Sequence, residues 1–269
     1  MKFAKIGSYV VLSIMAILFI IPFIWMFEEG FSSISSIGFG NFGKFTLAAY
    51  STVLSQHYFQ LAIINGLVQS TGGATFSILF AILPAYVFSR KKFRGRRLLL
   101  LWILFLTGFP VFSLLIPTYI FFLRTGLYNS QIGVILVLGV LNLPFDIWIL
   151  KNSFDQIPTS IERAAIVDGA SPFQSVFSVF LPMAFPSMAV LIILDFVTNW
   201  GNFYVPYILI SSRGLMPISV YIYSYFGIYN VQYNELAAAS VIYTVPTLIL
   251  YIFAQNYLIK AFSIGGVKG

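Results

Sequence analysis

Asp146 and Asp195 are the two acidic residues that fall within long apolar runs of this 269-residue chain. Two opposed aspartates inside a membrane could hydrolyse a peptide bond, one acting as general acid and the other as general base. Neither lies in a Gly-x-Gly-Asp sequence, so an intramembrane protease is the weakest of the function classes considered. Because Asp146 comes about one turn before Lys151, we expect it to lie at the membrane interface near that cation.

Other patterns that could support catalysis are incomplete. Gly38, Gly43 and Lys44 have the spacing of a phosphate-binding loop, but Phe45 follows where a serine or threonine must bind magnesium. His57 is the single histidine, and the chain has no cysteine, which excludes disulfides, thiol chemistry and cysteine-based zinc sites. The sequence therefore predicts no catalytic residues, no metal site and no cofactor, and the chain is not expected to be an enzyme.

The composition is that of a membrane protein. Hydrophobic residues make up 59% of the chain, charged residues only 9%, and the mean hydropathy is +0.92. A soluble domain carries about 25% charged residues, so a free cytosolic enzyme and a disordered chain are both excluded. The apolar runs are Ser8–Phe27, Ile64–Ser89, Leu98–Leu123, Ile132–Leu150, Met183–Phe203 and Leu236–Ile259. We therefore predict an all-α membrane protein with about six transmembrane helices, the first of them uncleaved.

The positions of the basic residues predict the orientation of these spans. With the N-terminus in the cytoplasm, 12 lysines and arginines fall on the inner side and 3 on the outer side. Cytoplasmic loops of membrane proteins carry an excess of such residues. Both termini are therefore expected in the cytoplasm, in a multi-pass protein of the cytoplasmic membrane. The basic run of residues 90–97 is interpreted as a topology anchor that lies against anionic lipid.

The cytoplasmic segment of residues 151–172, between spans four and five, is predicted to contain a short helix outside the membrane. Thr159 and Glu162 fit a capping box at its start. Gly169 can adopt the left-handed conformation that ends a helix. The helix is therefore expected from Ser160 to about Asp168.

A helix this short is marginal in water by itself, so another surface must hold it. Ile161, Ala164 and Ala165 share a small apolar face that suits close approach by a partner protein. Asp168 lies near the C-terminus, where the helix dipole disfavours an anion, which suggests a cation or exposed amides nearby. The alternative is a helix that lies on lipid, and the residues alone favour neither.

Residues 162–170 of this segment, Glu-Arg-Ala-Ala-Ile-Val-Asp-Gly-Ala, are followed by Pro182 and Pro186. They resemble the EAA loop of ABC importer permeases, in the form of the carbohydrate-uptake, maltose-type branch. Further matches are Asn65-Gly-Leu-Val68, Ala85-Tyr-Val-Phe-Ser-Arg90, Phe93-Arg-Gly-Arg-Arg97, Pro117-Thr-Tyr119, Trp200-Gly-Asn-Phe203 and Gly265-Gly-Val-Lys-Gly269. The resemblance covers residues 60–269, and the final match points to the second permease of such systems. Arg163 and Gly201-Asn202 depart from the usual pattern.

The resemblance implies a transport subunit that works within a complex. Such a permease pairs with a second permease and two cytoplasmic ATPase subunits, and an extracytoplasmic solute-binding protein delivers the solute. The short cytoplasmic helix would be a coupling helix docked on an ATPase subunit, which hydrolyses the ATP. Residues 1–60 would form the first transmembrane helix and an outer loop, and residues 61–269 a five-helix permease core. The expected ATPase-docking residues are Glu162, Arg163, Ala164, Ala165, Asp168, Gly169 and Ala170.

The solute implied by the resemblance is a sugar, whether a mono-, di- or oligosaccharide. A non-sugar solute such as a polyol phosphate is the alternative within the family. A secondary carrier is the alternative from a different class. It would need its own ion-coupling residues and commonly shows paired repeats, and the sequence shows no repeat.

Polar residues of the fifth span are candidates for the substrate path. Asp195, Asn199 and Asn202 share one helical face, with Trp200 at its edge, and could contact sugar hydroxyls. The alternative is a structural stripe that bonds a neighbouring permease or caps a helix break near Gly201. A charge at the bilayer centre costs about 2.5–3.5 kcal/mol on insertion scales, so Asp195 is expected to face away from lipid.

Tyrosines are frequent in the outer loop of residues 210–235. Tyr229 and Tyr233 are the candidates for contact with the binding protein, because aromatic rings can stack on sugars or pack against a partner. The alternative is a belt of aromatic residues at the membrane surface.

Overall fold

The computed structural model describes residues 2–35, 43–226 and 231–265. The helices are α1 (Lys2–Gly30), α2 (Ala48–Ser55), α3 (His57–Arg90), α4 (Arg96–Thr107), α5 (Val111–Thr125), α6 (Gln131–Asp155), α7 (Thr159–Val167), α8 (Pro172–Ser175), α9 (Leu181–Trp200), α10 (Tyr204–Leu209), α11 (Ile218–Tyr221) and α12 (Tyr233–Gly265). A π-helical segment at Val176–Phe180 joins α8 to α9, and 3₁₀ turns occupy Arg213–Leu215 and Ile222–Tyr225. Within the described ranges the one β contact is an isolated bridge between Ser32 and Phe45. The predicted all-α class is confirmed for this part of the chain.

Five helical stretches are long and apolar enough to cross a membrane: residues 7–30, 57–90, 131–155, 172–200 and 233–255. The third predicted run is not one straight helix, because α4 and α5 meet at a bend of 91°. Pro110 lies at this bend, and a proline lacks the N–H of a helical hydrogen bond and disfavours helix at the residue before it. Counted as one broken span, the bent pair brings the number in the described residues to six, as predicted.

The fifth predicted span runs unbroken from α8 into α9 through the π-helical segment. The Leu181 N–H donates to the Val176 carbonyl, five residues earlier. This wider turn comes directly before Pro182, where a proline ring would clash with the carbonyl four residues back in a regular helix. The span is therefore longer than its apolar run, and it begins close to α7.

α3 is the central helix of the bundle and packs along α6 and α9. Its approach to α6 depends on two glycines, Gly73 and Gly139. A Cβ added to Gly139 would lie 3.0 Å from the Gly73 carbonyl oxygen and 2.5 Å from the Phe76 ring. Small residues allow membrane helices to approach closely and increase their van der Waals contact. At the end of the bundle that carries α7, the buried core includes Leu150, Phe154, Phe180 and Leu191.

α1 lies at the edge of the bundle and packs chiefly on α12. Its apolar side chains between Tyr9 and Phe27 are largely exposed. A helix that is apolar on all sides is stable only when lipid or another protein covers it. α1 is therefore a peripheral span, whereas α3, α6 and α9 form the centre.

Candidate coupling segment and transport-path residues

α7 has the length and the ending that the sequence predicts. It runs from Thr159 to Val167, and Gly169 follows in the left-handed region with φ of +91°. The Ala170 N–H donates to the Ala165 carbonyl at 2.9 Å, and the Gly169 N–H donates to the Ile166 carbonyl at 3.0 Å. These two bonds are the Schellman arrangement that satisfies the last carbonyls of a helix. The prediction of a short helix that ends at Gly169 is confirmed.

The predicted capping box of Thr159 and Glu162 is wrong. Pro158 is the N-cap residue, and no side chain caps the first turn. The Glu162 carboxylate turns inward instead, accepting a hydrogen bond from the Tyr86 hydroxyl at 2.9 Å and pairing with Arg90 Nε at 3.1 Å. A charged partner on a neighbouring helix is a stronger attraction than one backbone amide. The structure does form a capping box one element later, between Ser171 and Gln174 at the start of α8.

Arg90 joins three helices at this point. Its Nη2 donates to the carbonyls of Phe154 at 2.9 Å and Ile157 at 2.5 Å, just where α6 ends. Its guanidinium also lies 4.8 Å from the centre of the Phe180 ring. The side chains of Arg90 and Glu162 are only 10% and 13% exposed, so water screens this pair weakly. α7 is thus fixed to the last turn of α3 and to the end of α6.

The other side of α7 is open and carries exposed apolar side chains. Val167 is 85% exposed and Ile166 is 49% exposed. Of the predicted docking residues, Arg163, Ala164, Asp168 and Gly169 lie on this open side, whereas Glu162, Ala165 and Ala170 are half-buried. Sequence reasoning missed Ile166 and Val167 as surface residues, and it missed Tyr86 and Arg90 as supports of α7. Ile166 and Val167 could have been found, because they are two adjacent β-branched residues in a helix predicted outside the membrane. No sequence signal indicated that Tyr86 and Arg90 contact α7.

The candidate path residues of the fifth span are buried inside this chain. Asp195, Asn199 and Trp200 are 4%, 5% and 3% exposed. The Asn199 amide donates to the Ser70 carbonyl at 3.2 Å and accepts from Asn142 Nδ2 at 3.0 Å. The expectation that Asp195 faces away from lipid is confirmed. A sugar could reach these three side chains only if the helices around them separated.

Trp200 and Asn202 have structural partners of their own. The Trp200 indole N–H donates to the Tyr243 carbonyl at 3.0 Å, and its ring stacks on those of Phe196 and Tyr243. Asn202 Oδ1 accepts from the Val205 N–H at 3.1 Å and so caps α10, which starts after the helix break at Gly201. This arrangement favours the structural alternative for the stripe. Contact with a sugar stays a prediction.

Asp146 is not an exposed residue beside a cation, so the interpretation of an interfacial partner for Lys151 is wrong. It is fully buried in α6 and accepts a hydrogen bond from the Ser77 hydroxyl of α3. Lys151, its expected partner, pairs with Asp155 at 2.6 Å instead, because Asp155 follows one turn later on the same face of α6. The side chain of Asp146 points into the bundle, toward α9 and Asp195.

Tyrosines of the outer loop divide into packed and exposed residues. Tyr221 is buried, and the Tyr225 hydroxyl donates to Gln56 Oε1 at 2.9 Å. Burial, reinforced by the nearby Tyr221 and Glu235, raises the pKa of Tyr225, so its hydroxyl stays a proton donor. Tyr233 begins α12 and is half-buried, whereas Tyr229 lies outside the described residues. The predicted contact with a binding protein is therefore untested by this arrangement.

The family of the chain follows from comparison with known proteins. Residues 73–264 match the family described as binding-protein-dependent transport system inner membrane component, and this match covers more than half of the chain. The chain belongs to this family. The permease is 28% identical to the diacetylchitobiose uptake system permease protein NgcG of Streptomyces coelicolor, over 98% of this chain and 89% of the relative. It is 27% identical to the trehalose/maltose transport system permease protein MalG of Thermococcus litoralis, over 95% and 94% of the two chains.

The fold has a close counterpart among solved structures. A bacterial ABC transporter involved in the import of the acidic polysaccharide alginate contains a chain with a TM-score of 0.84 and 25% identity. The match covers 95% of the permease and 96% of that chain. With the family match, it confirms the predicted resemblance to carbohydrate-uptake permeases. The permease is a multi-pass membrane component of a transport system, and not an enzyme.

Proposed function

We propose that the permease is one of two membrane subunits of an ATP-driven sugar importer, and that α7 couples it to a cytoplasmic ATPase subunit. One observation carries the proposal: α7 is fixed to α3 and α6 on one side and presents an open apolar surface on the other. Such a surface marks contact with a partner protein or with lipid, and we assign it to the ATPase subunit. The relatives named for diacetylchitobiose and for trehalose and maltose support a sugar as the solute.

The connection through Arg90 supplies the path of coupling. When the ATPase subunits bind and hydrolyse ATP, their movement displaces α7. The pairing of Glu162 with Arg90 and Tyr86 carries this displacement to α3, and the two carbonyl bonds of Arg90 carry it to α6. Tightly packed helices move as rigid bodies rather than deforming, so the displacement reaches the centre of the bundle. A second permease completes the path for the solute.

We also propose that α7 and both termini face the cytoplasm. The basic run of residues 90–97 begins at Arg90, which contacts α7, so the run and α7 lie at the same end of the bundle. Positively charged loops favour the cytoplasmic side. The outer loop then faces the binding protein, with Tyr229 and Tyr233 as contact residues. Residues 1–60 form an addition to a core of residues 61–269, which the peripheral position of α1 supports.

The test is co-purification of the permease with an ATPase, a second permease and a binding protein encoded beside it, followed by uptake assays in proteoliposomes. The labelled solutes are diacetylchitobiose, trehalose, maltose and alginate oligosaccharides. Uptake of at least one that depends on ATP supports the proposal. An intact, ATP-hydrolysing complex that takes up none of these sugars would contradict the sugar assignment.

Docking by α7 is tested separately with Val167→Arg, which places a long charged side chain at the most exposed apolar position of α7. We expect the ATPase to be lost from the purified complex. Val167→Thr has the same shape and is the matched control, which should retain the ATPase. Full retention of the ATPase by Val167→Arg would show that α7 does not dock on it.

A further inference from the structure

α6 and α9 are antiparallel and meet along a seam of polar residues. Asn142 Nδ2 donates to Asn199 Oδ1 at 3.0 Å, and the Ser153 hydroxyl lies 3.0 Å from the Ser187 hydroxyl. Moving down the seam, residue numbers rise along α6 and fall along α9. Asp146 and Asp195 lie between these two contacts, each one turn from the asparagine of its own helix. The register of the seam therefore brings the two carboxyl groups together.

Both carboxyl groups are buried, and each has an oxygen without a hydrogen-bond partner. Asp146 is 0% exposed and Asp195 is 4% exposed. Asp146 Oδ2 accepts from the Ser77 hydroxyl, whereas Asp146 Oδ1 and Asp195 Oδ2 have no hydrogen-bond donor among the described residues. A buried polar atom left unpaired is costly, and a buried charge left unpaired is more so. The burial of both groups therefore disfavours two ionised carboxylates at this position.

Among the described side chains, no basic residue neutralises the pair. The basic residues of the packed helices lie toward helix ends. On α3, Arg90 pairs with Glu162, and on α6, Lys151 pairs with Asp155. The other charged or titratable groups on the helices packed around the pair are His57, Tyr58 and Tyr86 of α3, Arg96 and Arg97 of α4, and Tyr233, Glu235, Tyr243, Tyr251, Tyr257 and Lys260 of α12. None of the described side chains among them hydrogen-bonds or pairs with either aspartate.

We propose that Asp146 and Asp195 form a proton-binding site, in which the protonated Asp195 carboxylic acid donates a hydrogen bond to Asp146 Oδ1. Two carboxylates in contact cannot both stay ionised, so one of the two holds a proton. Ser77 donates to Asp146 and favours its ionised form, which assigns the proton to Asp195. The remaining charge then accepts two hydrogen bonds instead of one. The bound proton holds α9 against α6 and α3 at the centre of the permease, and Asp195 acts as a positioning residue.

The substitution Asp195→Asn tests the site because an amide retains the donor and cannot ionise. We expect the assembled transporter with Asp195→Asn to keep near-normal yield and thermal stability. Asp195→Ala removes the donor and leaves Asp146 alone, so we expect a loss of about tenfold or more in assembled complex. Ser187→Ala is the control on the same seam and removes a neutral contact. Equal damage from Asp195→Asn and Asp195→Ala would overturn the proposal.

Infrared spectra of the purified transporter give a second readout, because a purely structural role of Asp195 would not produce the band of a protonated carboxylic acid. The wild type should show the carbonyl stretch of a protonated carboxylic acid, shifted in heavy water. This band should persist in Asp146→Asn and disappear in Asp195→Asn. Its absence from the wild type would overturn the proposal. A cation site is the alternative, and it would make the wild type more thermally stable in sodium than in choline, with no such difference in Asp195→Asn. That result would also overturn the proposal.

Discussion

Arg90→Ala is the substitution for which the structure gives the largest expected effect on coupling. It removes the ion pair with Glu162, two hydrogen bonds to the end of α6 and the contact with the Phe180 ring. Removal of one partner from a buried ion pair costs about 3–5 kcal/mol, and a partly desolvated cation–π contact adds about 1 kcal/mol. These contributions overlap because they share one side chain, so we take about 3–5 kcal/mol for the whole substitution.

A change of this size shifts the equilibrium between fixed and detached α7 by more than about hundredfold, since about 1.4 kcal/mol corresponds to a factor of ten. We therefore expect the Arg90→Ala transporter to hydrolyse ATP without proportionate uptake of solute. Glu162→Gln keeps the shape of the side chain and its bond to Tyr86 but removes the negative charge. The free energy lost should therefore be smaller than in Arg90→Ala, at about 1.5–3 kcal/mol, the value of a hydrogen bond to a charged group. The assay is the ratio of solute transported to ATP hydrolysed in proteoliposomes.

Two comparisons make this test specific. Lys92→Ala removes an exposed cation from the same basic run and should leave the ratio unchanged. The double variant with Arg90→Ala and Glu162→Gln should lose less than the sum of the two single variants, because the unpaired buried carboxylate is gone. Wild-type coupling in Arg90→Ala, or strictly additive losses in the double variant, would refute the role of this ion pair.

Three further outcomes follow from the described contacts. Gly169→Val should cost about 1–3 kcal/mol because a β-branched residue is strained at φ of +91°, so uptake should fall while membrane insertion is kept. Gly169→Asn should lose less uptake, because asparagine tolerates the left-handed region better, and equal uptake by both variants would contradict the strain argument. Asn199→Ala leaves the Ser70 carbonyl and the Asn142 amide without this partner, at a cost of about 1–3 kcal/mol, so the yield of the complex should fall with the KM for sugar unchanged. The exposed Thr198→Ala is the control and should behave as wild type. A raised KM at normal yield would instead indicate contact with the sugar. A photocrosslinker at Tyr233 should capture the binding protein during turnover, and capture of only the second permease would argue against that contact.

The sequence by itself determined the features that depend on neighbouring residues. The apolar runs located the spans, because the bilayer requires a fixed length of apolar helix whatever the helix packs against. The length of α7 and its end at Gly169 were also predictable, since a left-handed glycine ends a helix through bonds within its last turn. The same local information gave the family resemblance of residues 162–170, which the family match confirms.

Only the tertiary structure decided which partner each polar side chain has. Glu162 was within reach of a local capping bond, yet it pairs with Arg90, which lies 72 positions earlier in the chain. Asp146 is about one turn from Lys151 in sequence, yet it lies against Ser77 and Asp195. Such pairings depend on the offset and crossing angle of helices that are far apart in the chain. The packing of whole helix surfaces sets this offset and angle, as at the close approach of α3 and α6 through Gly73 and Gly139. A buried charge then takes the partner that the packing brings to it, because in a low-dielectric interior it cannot go without one.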